Sequence, residues 1–297
     1  MNRKIILLIF AGIGFGLSYG FYYLSATPKS ISAKSLQRII CFNPAAVEVI
    51  FKIGAGDKVI GVSSFCDYLK IAGDKERVGE SINPDFEKIS KLSPDMIIVM
   101  GRSRKIRDYC KVKGYKFLSV NMRTVDELYR DIKMLGEKLD CRESANSLAE
   151  TMQQQMDLIR SKTAALKKEK VFLCLYRPQG QLSGLTTVGG DTMLDELIEI
   201  AGGVNIFGDV KIGYPKVSKE TILKRQPDII IEPVTVKSFS PQHKQQALQD
   251  WSKMDKLPAV KNGRVYFPDA DLLLRPGINT VQAARAIAEI LHPEVFK

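Results

Sequence analysis

The chain has 297 residues, 45% apolar and 26% charged, and a net charge of +11. This length exceeds what one hydrophobic core usually sustains, so two lobes are expected, and the composition excludes a disordered or low-complexity chain. The positive charge admits an anionic ligand or an anionic membrane surface, whereas scattered lysines with no compact basic run do not suit nucleic acid.

Residues 1–30 differ from the rest. Asn2, Arg3 and Lys4 supply a positive start, Ile5 to Leu24 is uncharged, and Ser25 to Ser30 is polar. That pattern is an export leader, either a cleaved signal peptide or an uncleaved N-terminal membrane anchor. The first cysteine is Cys41, so a lipid-bearing cysteine near the start is not expected. Cys41, Cys66, Cys110, Cys141 and Cys174 show no C-x-x-C spacing and no even pairing, which disfavours a disulfide scaffold and a zinc site. Cys41 and Cys174 sit in apolar runs and read as small core residues.

Strands are predicted at 38–42, 59–62, 96–100 and 117–120, then at 171–175, 228–232 and 264–267, interleaved with helical patterns. Alternation of this kind gives parallel-rich α/β sheets. Between the two sets, Glu143 to Lys168 lacks Gly and Pro and carries Ala145, Leu148, Met152, Met156, Ile159 and Leu166 on one stripe. It predicts a single helix of roughly 35 to 40 Å. An ungapped repeat lies on its two sides: Glu87 to Ile98 reads EKISKLSPDMII, and Glu220 to Ile231 reads ETILKRQPDIII. Each copy reads as helix, Pro-Asp stop and buried strand. The expected architecture is therefore α/β, with two lobes of parallel-rich sheet joined by one long α-helix. The lobes would span 31–142 and 170–297, with the bridge at 143–169.

From about Arg38 to Phe296 the chain resembles the iron-chelate and vitamin B12 class of periplasmic binding proteins. The resemblance is carried by RIICFNPAAVEVIFKIGAGDKVIGV, FCDY, VGESINPDFEKI, VGGDTMLDEL, GGVNIF, VSKETIL, AVKNGRVY and LLRPG, in that order. Leu69 after the CDY triplet and Ile278-Asn279 after RPG depart from the pattern, so loop shape is left open there. With only His243 and His292, direct coordination of a bare ion is not expected.

The resemblance implies a receptor without catalytic activity or intrinsic cofactor. It would capture a bulky metal chelate, such as a ferric siderophore, haem or cobalamin, and deliver it to an ABC permease and its ATPase. An enzyme, or an anchored sensor or adhesion domain on the same fold, is the competing class. No P-loop, HExxH or GxSxG motif is present, and Gly54-Ala55-Gly56 closes a helical run instead of opening one.

Ligands of open parallel sheets bind outside the carboxyl ends of the strands. Those ends and the family motifs give the expected ligand-binding set of Pro44, Phe65, Asp67, Tyr68, Arg102, Arg123, Tyr176, Arg177, Tyr214, Trp251 and Arg275. Arg104 adds a fifth arginine at a strand end. The arginines suggest an anionic ligand, because a guanidinium fork matches carboxylate oxygens. The aromatics offer flat apolar area, although Trp251 also suits a core position. Glu87 and Glu220, each behind a helix start marked by Pro84 or Ser218, favour the helix dipole. The resemblance implies that they also dock onto permease arginines. The stiff bridge implies that the lobes close little.

Overall fold

The computed structural model describes residues 36–275 and 277–296, so the expected leader over 1–30 lies outside the described residues. Apolar runs become strands because alternate side chains find two different apolar partners. The first lobe contains β1 (Ile39–Cys41), β2 (Val59–Val62), β3 (Glu76–Arg77), β4 (Met96–Met100) and β5 (Lys116–Val120). They form one parallel sheet in the order β3-β2-β1-β4-β5. The second lobe contains β6 (Glu169–Tyr176), β7 (Leu185–Thr187), β8 (Gly203–Asn205), β9 (Lys216–Val217), β10 (Ile229–Ile231) and β11 (Val265–Tyr266). Their order is β11-β10-β6-β7-β9, with β8 also beside β6. Here β8, β6, β10 and β11 pair in parallel, while β7 is antiparallel to both its neighbours.

The connector is a helix, Arg142–Thr163, that stops short of the predicted Lys168. No Gly or Pro marks this end. It is fixed by tertiary contacts: Thr163 Oγ1 donates to the Ile200 carbonyl at 2.9 Å in the second lobe, and Leu166 N closes a turn onto Thr163. β6 then begins at Glu169, earlier than predicted. At 22 residues the helix is about 33 Å long. Its buried stripe is Ala145, Ala149, Met152, Met156, Ile159 and Thr163, with Leu148 half-buried beside it.

Around this stripe the two lobes share one core. A single cluster joins Ile39, Cys41, Met96 and Ile98 of the first sheet to Met152 and Met156 of the bridge and to Val171, Leu173, Ile229 and Ile231 of the second. Intervening strand residues face outward into separate clusters, Ile40, Ile97 and Val99 in the first lobe, and Phe172, Cys174 and Ile230 in the second. This is the period of two expressed in packing. Fully burying one such aliphatic side chain contributes about 1.5 to 3 kcal/mol.

The sequence repeat is a structural repeat. Helix Phe86–Leu92 is capped by Asp85, which accepts from Lys88 N, and helix Lys219–Arg225 by Ser218, which accepts from Thr221 N. The first helix thus begins at Phe86, behind the Pro84 expected to mark its start, with Asp85 as its cap. Both helices end on a left-handed residue before the proline, Ser93 (φ 46°) and Gln226 (φ 47°). The following aspartate ties the strands in both lobes: Asp95 accepts from Arg38 N at 3.0 Å, and Asp228 from Lys170 N at 3.0 Å.

Helix Val125–Lys138 packs on the bridge through Gly136, where any Cβ would collide with the Ala145 methyl. Gly136→Ala improves helix propensity by about 1 kcal/mol, but overpacking costs about 1 to 3 kcal/mol. Denaturant unfolding is expected to show net destabilisation, partly relieved by adding Ala145→Gly. Additive losses would show that the two positions are not coupled.

Candidate ligand cleft

The loops leaving the carboxyl ends of the strands carry large apolar side chains in solvent. Phe65 (55% exposed) and Tyr68 follow β2, Met100 closes β4, Tyr176 (62%) closes β6 and Val236 follows β10. Ile212 and Tyr214 lie in the loop before β9, beside Gly189 and the start of helix Met193–Ile200. Met100, Ile212 and Val236 are not in the predicted set. Met100 is visible as the last residue of a predicted strand, whereas the other two give no local signal.

Pro44 opens helix Pro44–Lys52, whose cap Asn43 accepts from Ala46 N at 2.7 Å and donates to Met100 Sδ. Asp67 is engaged by Arg77 Nε at 2.6 Å, so it braces the loop that presents Phe65 and Tyr68. The two departures from the family pattern resolve differently. Leu69 is buried, whereas Asn279 stands just before helix Thr280–Leu291 without a capping side-chain bond, after the half-buried Ile278.

The predicted arginines separate into two kinds. Arg102 and Arg123 are exposed and make no side-chain ion pair among the described residues, and Arg104 pairs with Asp108 at 3.7 Å on the following helix. Arg275 stacks over the Tyr68 ring at 3.7 Å and binds Asp271 at 2.8 Å, crossing from the second lobe to the first. Burial pushes the Tyr68 hydroxyl up to about 12, with Glu48 adding and Arg275 opposing. Burial likewise raises Glu48, against the attraction of Arg275. Arg177 is the clearest departure from expectation. Its side chain is 5% exposed and held by Glu232 and Asp250, both at 2.9 Å, so it is not a free fork for an anion. Trp251 is a second correction: it is fully buried, packs edge-on to Phe172 and donates Nε1–H to Glu232 at 2.7 Å. A Trp with a satisfied N–H seals the core of its lobe and presents nothing to a ligand.

Two contacts fix the lobes beside the cleft. Gly277 approaches helix Pro44–Lys52 so closely that a Cβ would lie 3.1 Å from Ala45 Cβ and 3.0 Å from Glu48 Oε2. On the other side Val125 N donates across the lobes to Glu196 Oε2 at 2.7 Å.

The periplasmic binding protein family matches residues 39–272. The chain belongs to this family. It is 30% identical over 274 residues to the vitamin B12-binding protein of Vibrio cholerae, covering 91% of this chain and 94% of that protein. It is 29% identical to an uncharacterized ABC transporter substrate-binding lipoprotein of Bacillus subtilis over 89% of this chain and 82% of that protein. Among solved structures, the periplasmic vitamin B12 binding protein of Vibrio cholerae matches with a TM-score of 0.70 at 28% identity, covering 86% of this chain and 96% of that one. A possible iron-binding periplasmic solute-binding protein of Staphylococcus epidermidis matches with a TM-score of 0.73 at 29% identity, covering 87% and 100%. This periplasmic binding protein is the substrate-binding component of an ABC importer, a solute receptor and not an enzyme.

Glu196 makes the contact between the lobes titratable. Burial pushes its carboxyl above the ordinary 4.5, the Val125 N–H opposes, and Asp126, Asp195 and Glu127 reinforce the rise. The folded state therefore holds this proton more tightly than the unfolded chain. Its contribution to stability is full below 4.5 and is lost as pH rises through the raised value. Glu196→Gln keeps an acceptor without the charge. Its Tm should match the parent below 4.5 and exceed it increasingly towards neutral pH; a constant offset would remove the charge from the explanation.

Proposed function

We propose that the cleft captures a bulky, largely neutral metal chelate of the corrinoid class, vitamin B12 or a close relative, and passes it to an ABC permease driven by its ATPase. The observation that carries this reading is the state of the arginines. The two most firmly placed at the cleft, Arg177 and Arg275, are already matched by carboxylates, while aromatic and aliphatic side chains stand exposed around them. A site of this kind favours a large ligand with extensive apolar area and polar groups without net charge. The Vibrio cholerae relatives bearing the name vitamin B12-binding protein support the same ligand class.

A second reading, an anionic ferric siderophore or haem, is favoured by Arg102 and Arg123, which are unpaired and exposed at the ends of β4 and β5. The two ligand classes separate on direct competition.

In this proposal Glu87 and Glu220 are the docking groups. They occupy equivalent first turns, one per lobe, and both are exposed. Glu87 is held by Lys91 at 2.7 Å, and hydrogen bonds from Ser218 and its own N–H keep Glu220 below the ordinary carboxylate range, so it stays charged. Each helix leads into the start of a central strand, so its first turn lies towards the carboxyl edge where the ligand would sit. A permease of two matching halves could then engage both carboxylates, the second within the complex formed by the first. The receptor works outside the cytoplasmic membrane, with residues 1–30 as its leader or its tether.

The test is a titration with cyanocobalamin and with haemin, beside uptake in membranes carrying the cognate permease. Tight cyanocobalamin binding is expected, and Glu87→Ala with Glu220→Ala should keep that affinity while losing uptake. A preference for haemin would overturn the corrinoid reading. Normal uptake by the double variant would return both glutamates to helix capping.

A further inference from the structure

The carboxyl edge of the second sheet holds a polar recess next to Tyr176. Arg177 directly follows β6 and Glu232 directly follows β10, its neighbour, while Asp250 reaches in from helix Pro241–Ser252. Arg177 Nε donates to Glu232 Oε1 at 2.9 Å and Nη1 donates to Asp250 Oδ2 at 2.9 Å. Nη1 also reaches the Gln181 carbonyl at 3.4 Å. The remaining carboxylate oxygens are occupied as well: Trp251 Nε1 donates to Glu232 Oε2 at 2.7 Å, and Gln246 and Lys253 donate to Asp250 Oδ1 at 3.2 and 3.1 Å. The acids are thus fixed and satisfied. One group is not: Arg177 Nη2 has no hydrogen-bond partner among the described residues, and it is not sealed from solvent as Tyr129 Oη is. Arg177 lines a cavity of about 310 Å³ together with Thr235, Ser238, His243 and Gln246.

A single guanidinium in a recess ordinarily attracts an anion. Here two carboxylates face it, and only the exposed Lys253 ammonium offsets the second. Burial works against the Asp250 charge, but the bonds from Arg177, Lys253 and Gln246 outweigh it and hold its carboxyl below the ordinary range. Burial likewise works against the Arg177 charge and is outweighed by Glu232 and Asp250. The charges therefore persist at neutral pH, and an incoming carboxylate would be repelled at short range through a poorly screening medium. What the recess offers is a rigid N–H donor beside hydroxyls and a carboxamide that can accept or donate.

We infer that the Arg177 recess is a specificity subsite for a neutral carboxamide arm of the ligand. The arm's carbonyl oxygen accepts from Arg177 Nη2, and its N–H group donates to the Thr235 or Ser238 hydroxyl. The inference rests on the corrinoid reading, because a corrin ring carries several such arms. A cavity of about 310 Å³ is at the small end of ligand pockets, so it suits an arm of the chelate and not the ring. Reading an amide against an acid of equal shape is efficient, because the wrong group brings an uncompensated buried charge.

The discriminating probes are cyanocobalamin and the set of monocarboxylic acids made by hydrolysing one side-arm amide at a time. They are titrated against the full receptor at one fixed pH. One monoacid should bind at least about tenfold more weakly than cyanocobalamin while the others stay close to it. Glu232→Gln, which removes one of the two opposing charges, should narrow that gap. If every monoacid binds like cyanocobalamin, or if the gap is unchanged in Glu232→Gln, the subsite is refuted while the corrinoid reading stands. If the parent receptor does not bind cyanocobalamin at all, the corrinoid reading fails and takes the subsite with it.

Discussion

One apolar cluster runs from the first sheet through the bridging helix into the second, and the rest of the molecule depends on that continuity. Two sheets with separate cores could swing on a connector. Here Ile98, Met152, Met156, Leu173 and Ile231 belong to one cluster, and residues from Leu36 onward form one compact unit. Opening such an interface by a hinge would expose apolar surface at a cost of about 25 cal/mol per Å². The helix adds stiffness, and its end is pinned through Thr163 to the second lobe. The cleft is consequently set by packing before a ligand arrives, with the Arg275–Tyr68 stack and the Glu196–Val125 hydrogen bond as its side walls.

A preformed cleft can economise on charge. Ordering costs are met when the receptor folds, so the ligand need not bring strong ion pairs to organise the site. The carboxylates around Arg177 and Arg275 fit that arrangement, since they hold the guanidinium groups in place and cancel their attraction for anions. In the proposed receptor two surfaces separate: a largely apolar cleft edge with Arg102 and Arg123 as its unpaired charges, and exposed carboxylates at the helix starts that would meet a permease.

Much of this fold was legible in sequence because its signals are local. The duplicated helix, Pro-Asp stop and strand fixed the two-lobed plan, and the stripe from Ala145 to Ile159 fixed the bridge. β3, β7, β8 and β9 escaped because their two or three residues, unlike those of the equally short β1, β10 and β11, do not sit in a run that reads as a strand. The helix end at Thr163 escaped because its stop is a contact with Ile200, 37 positions away. The candidate site was legible only in outline. Strand ends locate the edge, but the state of a side chain there depends on remote partners: nothing near Arg177 announces Asp250, 73 positions on, which turns an apparent anion fork into a buried ion pair. Trp251 shows the same limit, since its N–H finds Glu232 across the lobe.

If the shared core holds the lobes at one separation, ligand enters a cleft already formed. Spin labels at exposed Arg104 and Lys237, one on each lobe, measure that separation directly by pulsed electron paramagnetic resonance. With and without cyanocobalamin the distance distribution should keep one maximum at the same position, narrowing at most. A second, shorter maximum that grows with ligand would show that the lobes close on a hinge despite the shared core.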